Sequence, residues 1–186
     1  MKIGTPLKLD IVLACPGLPF NGNTFDKQSL GGSESACLYM ARALAKLGHR
    51  VTVFSNTSER VHCADVDYIP LNSFPQYVEY TPHDVCIVQR LPELFSVYCR
   101  ARYSVLWCHD LALGRQEDKI KGVAWNYDKL FVLSAFMRQQ YKDVYGLPDE
   151  LLFTTRNGVD LAQVQAVRDM LNEGKAPRNP LALVYS

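Results

Sequence analysis

The chain has no apolar run approaching the ~20 residues that would span a bilayer, so no membrane-crossing helix is expected. Its opening residues, Met1-Lys2-Ile3-Gly4-Thr5-Pro6, lack the apolar core of a signal peptide. It has almost no net charge, +1 at neutral pH, and therefore none of the broad basic footprint of a nucleic-acid binder. Its six cysteines (Cys15, Cys37, Cys63, Cys86, Cys99, Cys108) form no C-x-x-C pair. The four histidines (His49, His62, His83, His109) lack ligand spacing too, so no metal is expected and the thiols read as buried and reduced in a cytosolic protein. Neither an internal repeat nor a low-complexity tract is present.

What is present is an ordinary globular composition, 48% hydrophobic and 21% charged over 186 residues, enough for one well-buried domain. Strand and helix patterns alternate. Leu7–Ala14 reads as a strand, and Ser33–Leu47 as a helix with Ser33 as N-cap and Gly48 just past its end. Strands follow at Val51–Ser55, Val66–Ile69, Asp84–Gln89, Ser104–Cys108, Asp128–Leu133 and Leu152–Thr155. Helices are expected over Leu91–Ala101, from a Ser134 cap to about Val144, and from an Asp160 cap to about Asn172. Strands that are apolar throughout and alternate with helices imply a parallel sheet covered on both faces, a doubly wound, Rossmann-like α/β domain. Ligands of such sheets bind at the carboxyl ends of the strands. Residues 1–173 read as this domain, and residues 174–186 as a linker followed by Leu181–Tyr185, the first strand of a second domain the chain does not include; an added edge strand closing the same sheet is the other reading.

The most informative stretch is Leu30-Gly31-Gly32-Ser33-Glu34-Ser35, a glycine pair at a helix start. Backbone N–H groups there can meet an anion, because glycine allows close approach and the first helical turn carries unpaired donors and partial positive charge. The loop has neither the G-x-G-x-x-G spacing nor the Gly-Lys-Ser/Thr of a P-loop. Ser55-Asn56 also stand where a dinucleotide site would have an acid, which disfavours a nicotinamide-dependent oxidoreductase. A plain packing turn is the other reading of the glycines. Glu34 reads either as an acid favouring the helix dipole or as a ligand contact. Arg90 meets an anionic acceptor or faces solvent, and the sequence favours solvent. Asp65-Val66-Asp67 has the form of a metal-binding D-x-D but precedes its strand, so ordinary loop acids explain it. Asn157-Gly158 reads first as a turn.

Gly31-Gly32-Ser33-Glu34, followed by Met40-Ala41-Arg42-Ala43-Leu44-Ala45-Lys46-Leu47-Gly48-His49-Arg50-Val51-Thr52-Val53, resembles the N-terminal half of a GT-B glycosyltransferase of family 4. Three further matches follow in order: Trp107-Cys108-His109-Asp110, Phe131-Val132-Leu133-Ser134 with its Gly146-Leu147-Pro148 stop, and Thr155-Arg156-Asn157-Gly158-Val159-Asp160. The resemblance covers residues 7–186. It implies a nucleotide-sugar donor, a carbohydrate or lipid-linked acceptor, a second, donor-binding domain as partner, and hexosyl transfer with retention and without a metal or other cofactor. It places Gly31, Gly32, Ser33, Glu34, Asp110 and Asn157 against substrate and His109 beside the transferred sugar. It further implies that this half alone is inactive, and that the protein is cytoplasmic, with peripheral contact at the inner membrane face for a lipid-linked acceptor. Arg100, Arg102, Lys119 and Lys121 are the basic residues available for such contact, although the sequence favours scattered solvated charges. A non-catalytic nucleotide- or sugar-binding module of the same fold is the alternative.

Overall fold

The computed structural model describes residues 7–24, 29–112, 117–158 and 160–175. Contacts divide the chain after Arg156 into two compact units.

The first unit is an eight-stranded sheet. Its strands are β1 (Asp10–Cys15), β2 (Arg50–Ser55), β3 (Val61–Cys63), β4 (Val66–Pro70), β5 (His83–Gln89), β6 (Ala101–Trp107), β7 (Lys129–Val132) and β8 (Leu152–Thr154). Their order in space is β3-β4-β2-β1-β5-β6-β7-β8, and every pair is parallel except β3 with β4. The chain builds outward from β1 to β4, then returns to place β5 on the other side of β1. This reversal is where a doubly wound sheet opens a crevice at its carboxyl edge. The helices are α1 (Gly32–Lys46), α2 (Phe74–Tyr80), α3 (Glu117–Gly122) and α4 (Ala135–Tyr145). In the second unit α5 spans Leu161–Asn172, and Asp160 accepts the Ala162 N–H at its start. The strand expected at Leu181–Tyr185 lies outside the described residues.

Alternation along each strand feeds two apolar layers. Ile11, Leu13, Val53, Ile87 and Val105 pack with Cys37, Leu38 and Ala41 of α1 on one face. Val12, Ala14, Cys86, Val88, Leu106 and Leu130 pack with Met137, Tyr141 and Tyr145 of α4 on the other. Burial on both faces is why these strands read as unbroken apolar runs. All six cysteines are free thiols, five of them buried. Among the described residues no helix is long and apolar enough to cross a membrane.

Helix ends follow the sequence closely, with one correction. Ser134 accepts the Met137 N–H at 3.1 Å, and Gly48 and Gly146 take the left-handed conformation at the ends of α1 and α4. Ser33, however, is inside α1. The N-cap is Gly31, in extended conformation with no side chain to offer, and the Ser33 hydroxyl turns to Glu34 instead.

The helix expected over Leu91–Ala101 is a single 3-10 turn, Pro92–Ser96, followed by extended chain. The buried Asn126 amide donates to the carbonyls of Phe95 and Val97, so those acceptors are taken by a side chain rather than by the next helical turn. β4 matches the strand expected at Val66–Ile69, but β3 and the hairpin that joins it to β4 were not expected. This hairpin turns on Ala64 and Asp65, both left-handed, with φ of 52° and 57°. A two-residue hairpin loop of that hand favours Asn-Gly. Replacing Ala64 with Asn and Asp65 with Gly is therefore expected to stabilise the protein by about 1 kcal/mol, seen as a Tm rise of roughly 2–4 °C.

Candidate functional site

The site forms where β1, β5 and β6 end. Beyond β1 the chain turns at Gly17 and Leu18 before α1, and the buried Glu34 closes that turn: its Oε1 accepts the Leu18 N–H at 2.9 Å. Its Oε2 accepts the Ser33 hydroxyl at 3.1 Å. Two glycines make room for this carboxylate. A Cβ at Gly17 would stand 1.8 Å from Oε1, and one at Gly31 would stand 2.3 Å from Oε2. Gly17→Ala is expected to push the carboxylate off the Leu18 N–H and cost about 1–3 kcal/mol, the scale of a buried donor left unpaired. Urea unfolding measures the loss, and in a Glu34→Ala background most of the Gly17→Ala penalty should vanish.

At the head of α1, Ser35 already bonds Gly31, whereas the N–H groups of Gly32, Ser33 and Glu34 have no intrahelical partner. Among the described residues a Cβ at Gly32 would meet nothing within 4 Å, so the first turn is unobstructed on that side.

Beyond β5, Arg90 is held in left-handed conformation, φ 60°, with the Leu91 N–H donating back to the Gln89 carbonyl at 2.6 Å. This tight γ-turn of the strained hand aims the guanidinium across the crevice. Arg90 donates bidentately to Asp110 at 2.8 and 3.2 Å and reaches the Ser33 hydroxyl at 3.4 Å. The Asp110 carboxylate holds Arg90 firmly protonated. Asp110 is fixed through its backbone, whose carbonyl accepts from the Tyr141 hydroxyl at 3.1 Å.

Beyond β6, His109 is mostly buried. Its ring lies 4.7 Å from the ring of the buried Trp107. The Gln89 amide donates to His109 Nε2 at 3.0 Å, which places the imidazole proton on Nδ1. Burial, and then the Arg90 charge, push the pKa of His109 down to about 4, so the ring is neutral at neutral pH.

Six sequence-chosen residues thus come together: Gly31, Gly32, Ser33 and Glu34 at the helix head, and His109 and Asp110 across the crevice, bridged by Arg90. Asn157 is exposed at the start of the second unit. Arg90 is engaged by Asp110 and Ser33 rather than left to solvent alone. Gln89, which with Arg90 stands at the carboxyl end of its strand, and Trp107 of the Trp107-Cys108-His109-Asp110 motif also belong to the site, although the sequence assigns neither a role. A buried glutamine ending an apolar strand is the signal that marks Gln89. The D-x-D acids lie elsewhere: Asp65 is in the hairpin turn, and Asp67 bonds His62 and pairs with Thr52 near the opposite end of the sheet. Of the basic residues considered for membrane contact, Arg102, Lys119 and Lys121 are paired with Asp84, Glu93 and Glu117.

Comparisons with known proteins bear on the family and the fold. The model of Glycosyltransferase Family 4 matches residues 30–163, well over half of the chain. The fold is similar to that of a glycosyltransferase from Rickettsia africae ESF-5, with a TM-score of 0.61 and 14% identity, covering 92% of this chain and 51% of that one. It is also similar to the sucrose-phosphate synthase of Thermosynechococcus elongatus, with a TM-score of 0.59 and 14% identity, covering 89% of this chain and 53% of that one. The chain therefore spans about half the length of these two proteins. No curated protein matches it by sequence.

Proposed function

The chain belongs to glycosyltransferase family 4, and on that premise we propose that it forms the acceptor-side wall of an interdomain cleft in which a sugar passes from a nucleotide-sugar to a carbohydrate or lipid-linked acceptor. The observation that carries this reading is the convergence, at the switch point of the sheet, of an open glycine-led helix head with a neutral, positioned histidine. In such a transfer negative charge grows on the departing diphosphate. The N–H groups of Gly32 and Ser33 and the guanidinium of Arg90 are donors suited to that charge, and prearranged donors need no reorganisation when it appears. Gly32 gives the phosphate room to approach.

His109, with Nε2 engaged by Gln89, offers its Nδ1–H to a sugar hydroxyl. Glu34 holds the shape of the β1–α1 loop, and Asn157 contributes an acceptor-side contact. Residues 174–186 lead into the second, donor-binding domain. Transfer is of a hexosyl group, retains configuration and uses no metal, and this half alone turns over little or nothing.

The test is nucleoside diphosphate release by the protein carrying both domains, against a panel of nucleotide sugars with and without acceptors. Release stimulated by an acceptor supports the reading. No release with any donor removes it.

A further inference from the structure

Three side chains of metal-ligating type converge at the other end of the sheet. His83 opens β5, Cys86 follows three residues later, and Cys99 sits in the extended segment before β6. All three are buried, and His83 Nε2, Cys86 Sγ and Cys99 Sγ lie within 4.8 Å of one another. Regular alternation would send residues 83 and 86 to opposite faces of a strand, which is why no spacing in the sequence marked them. His83 lies six residues before Gln89, roughly 20 Å along the strand from the crevice.

We propose that His83, Cys86 and Cys99 bind one zinc ion, tying the start of β5 to the segment that leads into β6. His83 Nδ1 donates to the Thr81 carbonyl at 2.8 Å, which leaves Nε2 with its lone pair aimed at the cysteines. Metal-binding imidazoles are oriented in this way by the hydrogen bond of the other nitrogen. His83 Nε2 and Cys99 Sγ are 3.5 Å apart, matching the N···S edge of about 3.5 Å that Zn–N and Zn–S bond lengths give in a tetrahedron. The Cys99 segment is already fixed, since the Arg100 N–H bonds the Val78 carbonyl and the Cys99 N–H bonds Asn126. Two thiolates and a neutral imidazole carry two negative charges, which a divalent ion cancels. An isolated buried charge would not be tolerated. A pocket of about 370 Å³ opens beside His83, lined also by Asp10, Tyr98 and Arg100, and gives an ion a way to that side of the cluster.

The experiment strips the reduced chain with a chelator and titrates zinc against a chromophoric competitor. One equivalent per chain is expected, with affinity lowered at least ~100-fold in Cys99→Ser and in His83→Gln and unchanged in Cys63→Ser. Cobalt(II) provides a readout in the unmodified chain: a tetrahedral spectrum with intense thiolate-to-cobalt charge transfer. An octahedral cobalt spectrum, no retained zinc, binding of copper(I) only, or equal zinc affinity in folded Cys99→Ser would each overturn the site.

Discussion

His109→Ala, in the protein carrying both domains, is expected to lower kcat at least ~100-fold, beyond the loss of about 1–3 kcal/mol in stability that leaving the buried Gln89 amide without its acceptor brings. One positioned polar group lost from a water-poor transfer site is worth about that much. The loss falls on kcat because the imidazole is held at Nε2 by Gln89 and rests against the ring of Trp107, so its geometry is set before substrate arrives. An unchanged kcat removes His109 from the reaction.

The same burial predicts a pH signature independent of turnover. Folded His109 titrates at about 4, below the ~6.5 of an unfolded histidine, so the unfolded chain takes up the proton first. The stability contributed by the neutral ring is complete above pH ~6.5 and is lost as pH falls from there to about 4. Between pH 7.5 and 5 this amounts to about 2 kcal/mol. Urea unfolding at the two pH values should show that loss in the wild type, and a correspondingly smaller one in His109→Gln. The rate, by contrast, should show no inflection near 6.5, because the ring stays neutral well below it.

Trp107→Ala should be the most damaging single truncation in the site, at about 3–5 kcal/mol of unfolding free energy. The side chain is among the largest fully enclosed in the chain, at the last position of β6, packed in the layer beneath α1. Its loss also removes the surface against which His109 rests, so kcat should fall with stability. Trp107→Phe separates the two roles. The indole N–H has no hydrogen-bond partner among the described residues, so phenylalanine gives up no bond while keeping an aromatic face for the imidazole. That variant should lose less than about 1.5 kcal/mol and most of the rate should survive. Urea midpoints and kcat for both variants decide the matter.

The parallel sheet was legible because strands such as Asp84–Gln89 are apolar on both faces, a pattern that only coverage from two sides explains. The ends of α1 and α4 were legible because Gly48, Ser134 and Gly146 each have one strong conformational or hydrogen-bonding preference. The hairpin at Ala64-Asp65 was not, since neither residue advertises the left-handed backbone it adopts. The segment after Pro92 misled for a different reason: Asn126, some thirty residues away, takes the carbonyls that a helix would need. The helix head, His109 and Asp110 could be chosen from motifs in order along the chain. Their linkage could not, because it runs through Arg90, whose direction depends on a backbone conformation no residue type announces. Nor could sequence spacing reveal His83 beside Cys86 and Cys99.

The backbone at residue 90 suits glycine, which adopts positive φ without the cost of about 1–2 kcal/mol that other residues bear. The ion pair with Asp110 is half-exposed and returns at most about 1 kcal/mol. A chain shaped by folding stability alone would gain by dispensing with arginine at this turn. Under the proposed role of Arg90 at the diphosphate, residue 90 is a position where a stabilising replacement and turnover pull in opposite directions, and where a library screened only for heat resistance would discard the guanidinium first.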